Sequence, residues 1–362
     1  MGFERTSIGL DVHARSVVAA AIDVVTGEVI KTRLVPSVEV IIEWLRGLAG
    51  PIAVVYEAGP TGFGLFRALT AAGFACTVAA PSKIVRAAGN RVKTDARDAV
   101  LLARLLRMGE ITPVRVPSVA EEAARDLVRA REDARGDLMR VRHRLSKLLL
   151  RHGHVYYGGR AWTGAHDAWL RKIVFDRSGT AAAFDADYDA VQLTQARRDR
   201  LEAQIAAMAA DSEFTAITAR LCCLRGVATL TGFALAVEIG DWNRFTGASI
   251  GAYLGLTPSE HSSGDSRRQG GITKTGNSHV RRLLVEAAWH HKASYSTIGK
   301  TMIERWDQAP AAARARGHAG NQRLHRQWIK FSERKKRPTV ANVAIARELA
   351  GWCWSLAVMP EQ

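Results

Sequence analysis

Cysteine is scarce in this chain, and its spacing excludes one common use of the residue. Cys76, Cys222, Cys223 and Cys353 are the four cysteines in 362 residues, and none stands at metal-ligand spacing from another. The adjacent pair lies in an apolar run, so all four read as reduced core residues. Long apolar runs are also missing. No stretch reaches the roughly 18 apolar residues of a transmembrane helix. The first residues, which include Glu4 and Arg5, lack the basic and apolar regions of a secretory signal. The expectation is a cytosolic protein, bacterial and associated with the nucleoid if its partner is DNA, with no membrane partner. Acidic charge is in deficit: 35 Asp and Glu face 51 Lys and Arg, a formal net charge of +16. An excess of that size calls for an anionic partner, and in a protein without membrane segments that is most often nucleic acid.

The acids that remain are placed informatively. Asp11 ends the apolar run Ile8-Gly9-Leu10, Glu57 ends Ile52 to Tyr56, and Asp95 and Asp98 open a helical stretch. Carboxylates so placed converge at one edge of a sheet and are candidates for a metal site.

The length suits two or three domains, and the pattern separates three regions: 1–110, 111–212 and 213–362. The first reads as α/β. Three short runs (Ser7 to Asp11, Ser16 to Ile22, Val29 to Val35) suit antiparallel strands. A helix over Val38 to Leu48, a strand over Ile52 to Tyr56, a helix over Phe63 to Ala72, a strand over Phe74 to Ala79 and a helix over Asp95 to Leu106 complete the order βββαβαβα. Region 111–212 carries apolar residues at three- and four-residue steps from Val119 to Arg151 (Leu127, Val128, Leu138, Val141, Leu145, Leu148) and again from Val191 to Ala210. These predict two long helices in an antiparallel hairpin or coiled coil, a candidate for assembly that also suits RNA contact. A basic run along the first helix (Arg140, Arg142, His143, Arg144, Lys147, Arg151) reads either as a solvated face or as a phosphate-contacting one.

Region 213–362 is expected to be mostly helical. From Arg281 to Arg347 it holds fifteen Lys and Arg against four Asp and Glu. Trp289, Trp306, Trp328 and Phe331 lie among them and suit either base stacking or a core. Leu224 to Gly232 reads as a Gly-bounded, helix-hairpin-helix-like turn before a helix over Phe233 to Ile239, able to offer backbone N–H groups to a phosphate. The stretch from Leu256 to Asn277 is rich in Ser and Gly, is expected to be largely irregular, and carries Arg267, Arg268 and Lys274. A serine hydroxyl there needs a base, or a metal that polarises the phosphate, before it can attack phosphorus.

Together IGLDV, VYEAGP, KTDARDA and LGLTPSEHSSGDSRRQGGITKTGN resemble the DEDD insertion-sequence transposases of the one-ten family, a group that includes site-specific invertases and bridge-RNA-guided recombinases. The resemblance spans nearly the whole chain with the motifs in order. It implies a RuvC-like, RNase H-fold N-terminal domain whose acidic tetrad, Asp11, Glu57, Asp95 and Asp98, binds Mg²⁺. It also implies a C-terminal transposase domain whose nucleophile falls on Ser263, with Ser262 as its neighbour. The implied reaction is DNA strand exchange through a phosphoserine, with the tetrad as half of a composite site. Arg267, Arg268 and Lys274 would steady the phosphate, and His261 would assist proton transfer or serve only structurally. Arg281, Arg282, Arg140, Arg144 and Lys147 are further candidates for nucleic-acid contact. The implied partners are donor and target DNA, a bridge noncoding RNA that pairs with both, and copies of the chain in a tetramer or pair of dimers. Two other readings compete: a RuvC-like nuclease that hydrolyses branched DNA with metal and water, and a non-catalytic nucleic-acid-binding protein.

Overall fold

The computed structural model describes residues 5–85, 94–260, 266, 268–296 and 298–360. They form two compact units, 1–117 and 118–362. The regions expected as 111–212 and 213–362 share the second unit, apart from the few residues before 118.

The first unit is a mixed α/β layer structure with elements in the expected order. Strands β1 (Thr6–His13), β2 (Ser16–Asp23) and β3 (Val29–Leu34) are followed by α1 (Val38–Arg46), β4 (Ile52–Glu57), α2 (Gly64–Ala71), β5 (Ala75–Ala79) and α3 (Asp95–Arg107). The sheet order is β3-β2-β1-β4-β5. β1, β2 and β3 pair antiparallel, while β1–β4 and β4–β5 are parallel. Side chains alternate between faces. Ile8, Leu10, Val17, Val54 and Tyr56 meet Ile41 and Leu45 of α1 and Leu69 of α2 on one face. On the other, Val18 and Ala20 pack with Ala99, and Val55 with Leu102, both from α3.

Gly9 sets the height of α3 above the sheet. A Cβ at Gly9 would stand 2.1 Å from the Ala99 carbonyl oxygen and 2.6 Å from the Ala103 nitrogen. Only a residue without one lets the helix backbone lie directly on β1.

The second unit opens with α4 (Val119–Arg151), which spans the predicted residues. Ser118 and Glu121 form a reciprocal capping box at its start. After α5 (Gly164–Leu170) comes α6 (Ser178–Ala210), which begins thirteen residues before the expected Val191. The earlier start follows from packing. Phe184 joins Leu138, Val141, Leu145 and Val191 in one cluster, so the segment 178–190 has a partner along α4. The two helices run antiparallel: Arg131 pairs with Glu202, Arg142 donates to Gln195 (2.8 Å), and Arg144 lies 3.6 Å from Asp187.

Seven further α-helices follow among the described residues: α7 (Thr215–Leu221), α8 (Thr229–Ile239), α9 (Ser249–Tyr253), α10 (Ser278–Ala288), α11 (Lys300–Trp306), α12 (Ala311–Glu333) and α13 (Pro338–Ala357). Helix α8 starts four residues before the expected Phe233, and Gly232 is buried inside it rather than bounding a turn. The turn glycine is Gly226, at φ +79°, where a Cβ would meet the Ala287 carbonyl oxygen at 2.4 Å. The Ser/Gly-rich stretch is largely irregular among its described residues, apart from two short strands. β6 (Pro258–Glu260) and β7 (Gln269–Ile272) pair antiparallel on either side of residues 261–268. Of the interleaved aromatics, Trp328 and Phe331 are core residues, and Trp306 donates to the Cys223 carbonyl. Trp289 is 40% exposed and packs on Trp328 with centroids 5.7 Å apart. No disulfide joins the four cysteines. Burial pushes the thiols of Cys222, Cys223 and Cys353 up to about 12, which keeps them protonated.

Candidate metal centre and nucleic-acid-binding residues

At the C-terminal end of β1 the chain alternates from the buried Leu10 to Asp11, and two residues on to His13, both on the face that carries α3. Helix α3 begins at Asp95, with the Thr94 hydroxyl accepting from the Arg97 N–H, and both Asp95 and Asp98 lie in its first turn. A helix N-terminus favours negative charge, which stabilises the carboxylates locally. Because Gly9 lets α3 sit close, its first turn reaches the end of β1. The His13 Nε2 lies 3.3 Å from the Asp11 carboxylate and 3.9 Å from that of Asp95. One donor atom from each of the three lies within 4.8 Å of the others. Arg33 of β3 stands 3.9 Å from Asp95.

Of the four predicted acids, the fold brings Asp11 and Asp95 into one cluster. Glu57 closes β4, and since Leu10 pairs with Tyr56 in parallel register, it sits alongside Asp11. Asp98 lies one turn along α3 on the Asp95 side. Both stand at this end of the sheet, outside the three-residue group. His13 was missed by sequence reasoning; its signal was the two-residue step from Asp11 along a strand. The donor set, two carboxylates and an imidazole, fits a divalent cation, since carboxylate oxygen is the ligand of hard cations.

The predicted nucleophile Ser263 lies outside the described residues, as do Ser262, His261 and Arg267. Lys274, exposed and at φ +57°, follows β7, and its N–H bonds the Gly255 carbonyl at 3.1 Å. Asn277 caps α10 by accepting from His279 and Val280, and its side chain donates to Glu238 Oε2 at 2.8 Å. Glu238, with its side chain 1% exposed, also takes a bidentate pair from Arg129 (3.1 and 3.0 Å) and faces His279 at 3.5 Å. Burial opposes its ionisation, but these hydrogen bonds and the Arg129 charge outweigh that and hold its carboxyl down at about 2.

Several predicted cations have internal duties. Arg281 donates to the Leu254 and Thr275 carbonyls at 2.9 and 2.6 Å, bracing the stretch after β7. Arg282 bridges Glu132 and Glu286. On α4, Arg140 pairs with Asp137 and Arg144 with Asp187, while Arg142 turns into the hairpin against Trp162. Lys147 and Arg268 are exposed.

Comparison with known proteins agrees with this architecture. Residues 8–153 match a DEDD transposase family model, described as "Transposase", and residues 218–302 match the "Transposase IS116/IS110/IS902 family". The y4qE protein of Sinorhizobium fredii, provisionally named a transposase, is 41% identical over 83% of this chain and 74% of its own length. The transposase for insertion sequence element IS1533 of Leptospira borgpetersenii is 30% identical over 91% of this chain and 97% of its own. A shorter match, 39% identical over 19% of this chain and 21% of the relative, is to the transposase for insertion sequence element IS1328 of Yersinia enterocolitica. With both family regions matched in order and relatives aligned along most of their length, the chain belongs to the IS110 family of DEDD transposases.

Proposed function

We propose that this transposase cuts and rejoins donor and target DNA through a covalent phosphoserine at Ser263, with Asp11, Glu57, Asp95 and Asp98 serving the same phosphate through Mg²⁺. The observation that carries the reading is the meeting of the Asp11 and Asp95 carboxylates at the end of a β3-β2-β1-β4-β5 sheet. Three antiparallel strands followed by two parallel ones, with an acid near the end of the first and another ending the fourth, support a RuvC-like RNase H reading of the first unit. Mg²⁺ held by these carboxylates would supply positive charge to the phosphate under attack. The carboxylates hold that charge in position, and α3 keeps Asp95 and Asp98 aligned with β1.

The Ser263 Oγ attacks phosphorus. An Oγ–P bond forms as one P–O bond of the DNA backbone breaks; a proton leaves the serine hydroxyl and one arrives at the departing sugar oxygen. A hydroxyl of a second strand then attacks the phosphoserine, remaking a phosphodiester and restoring the serine. Because the ester is exchanged rather than hydrolysed, resealing requires no ATP. The excess of positive charge supports backbone contact with DNA, with site choice delegated to a bridge RNA. The α4–α6 hairpin is the assembly element, in a tetramer or pair of dimers. On this reading residues 1–110 hold the metal, 111–212 assemble, and 213–362 carry the serine and the basic contacts Arg267, Arg268 and Lys274.

Labelled donor DNA incubated with the protein and Mg²⁺, then resolved on a denaturing gel, tests the chemistry. A protein–DNA adduct is expected from wild type and Ser262→Ala and lost in Ser263→Ala. Asp11→Asn and Asp95→Asn should each lower adduct formation by about a thousandfold or more. Free DNA ends from wild type and Ser263→Ala alike would identify a hydrolytic nuclease and overturn the proposal.

A further inference from the structure

The second unit contains a cavity of about 1010 Å³ between α9, the β6–β7 hairpin, α12 and α13. Its character is mixed in a particular way. Leu256, Ile272, Val340, Val343 and Ala344 supply an apolar lining, and Phe331, Trp352 and Trp354 bring aromatic rings to it. Three exposed cations, Arg316, Lys336 and Arg347, also line it.

Two of these cations are held in place by the rings. The Arg316 guanidinium lies 4.5 Å over Trp352 while its Nε donates to Ser355 Oγ at 3.0 Å. The Lys336 ammonium lies 4.7 Å from the Phe331 ring centre. Arg347 has no hydrogen bond or ion pair among the described residues, and its stem runs past Gly251, where a Cβ would stand 3.0 Å from its Cγ. The lining carboxylate, Glu348, is neutralised by Arg323 at 2.9 Å. One wall is β7 itself, Gln269 to Ile272, with Pro258 of β6 beside it.

We propose that this cavity receives an unpaired stretch of DNA strand, with bases against Trp354 and the apolar lining and phosphates on Arg316, Lys336 and Arg347. The proposal rests on the transposase reading above, because β6 and β7 lead into and out of the segment that carries Ser263. Charge selects the occupant. A protein partner would gain from the apolar lining but leave three cations facing it with one carboxylate already paired. A small anion would use the cations and leave the apolar lining without a partner. A single strand offers phosphates and π-faces together, the combination that sequence-tolerant strand binding uses. DNA is preferred over RNA because the wall is the serine hairpin, and DNA is the strand cut there.

The test uses the full chain and single-stranded oligonucleotides carrying 5-iododeoxyuridine, photocrosslinked and mapped by mass spectrometry. Two variants change exposed positions. Val340→Trp, at a residue 56% exposed, fills the cavity. The double variant Lys336→Gln, Arg347→Gln removes two cations. The expected results are crosslinks on Trp354, a loss of single-strand affinity of about tenfold in Val340→Trp, and, for the double variant, a slope of log affinity against log salt shallower by about 1.4. Melting temperature and circular dichroism verify that each variant is folded.

Crosslinks confined to other surfaces, with affinity and slope unchanged in both variants, would overturn the proposal. So would stronger crosslinking of an iodouridine RNA of the same sequence, or a Val340→Trp chain that binds DNA normally but changes oligomeric mass. Cavity crosslinks without any serine adduct would sink the Ser263 chemistry alone. An adduct without cavity crosslinks would sink the strand site alone.

Discussion

Gly9 is a residue whose absent side chain matters more than most side chains present. Substituting alanine places a methyl 2.1 Å from the Ala99 carbonyl, so α3 must lift from β1 and carry Asp95 away from Asp11. Gly9→Ala is expected to cost about 1–3 kcal/mol in urea unfolding and to weaken metal-dependent adduct formation more than a comparable substitution elsewhere on the sheet. Glu238 works in the opposite sense, through what it holds. Removing it in Glu238→Ala frees Asn277 and leaves the Arg129 pair unmade, at an expected cost of about 1–3 kcal/mol. Its contribution also has a pH window. The carboxyl is held at about 2 against an ordinary value of 4.5, so its stabilisation is whole above 4.5 and is lost as pH falls toward 2. His291 titrates over a higher range. It is fully buried, and burial first, then the nearby Arg225 charge, pushes its imidazole down to about 3. The unfolded chain therefore takes up a proton below about 6.5 that the folded chain refuses until about 3, and stability falls with pH across that interval. Unfolding curves measured from neutral to acid pH should show this loss, and His291→Phe should flatten it.

Elements differ in how openly their sequences declare them. α4 was legible from end to end because Leu138, Val141, Leu145 and Leu148 recur on one stripe. The first third of α6 was not, because residues 178–190 carry Ala, Asp and Tyr without a clear stripe and are organised by contact with α4 and α5. There Tyr188 donates to Asp167 at 2.7 Å and Phe184 enters the shared cluster. A similar limit applied to β6 and β7: neither has a strand-like composition, and each is made a strand by the other's backbone. If the hairpin is a packed unit rather than two independent helices, Leu145→Ala, at a fully buried position, should cost about 2–5 kcal/mol. Hydrogen exchange should then show protection lost in α6 as well as α4. Loss confined to α4 would mean that the helices do not share stability.

Across the whole molecule, charge sets the terms of binding. With a net +16, affinity for non-specific duplex DNA should fall about a thousandfold or more between roughly 50 and 200 mM salt, measurable by fluorescence anisotropy. A flat response would mean that the cations are spent internally, as those of Arg281 and Arg282 are. Arg140 and Arg144, each beside an aspartate, should contribute less to this slope than the exposed Lys147. Exposed ion pairs are weak, but a phosphate must still displace the partner already there.

The chain's own pattern determined the order βββαβαβα, the long α4, the placement of Asp11 and Glu57 at strand ends and of Asp95 and Asp98 at a helix start, and membership of a transposase family. These are local facts: periodicity, caps, charge and short motifs are written in consecutive residues. Tertiary structure decided what no local pattern encodes. It brought His13 into the group with Asp11 and Asp95, turned Arg142, Arg281 and Arg282 inward, buried Trp328 and Phe331, and opened a cavity walled by the β6–β7 hairpin. Each of these depends on a neighbour distant in sequence, and whether a cation meets a phosphate or a carbonyl is settled by what packing places beside it.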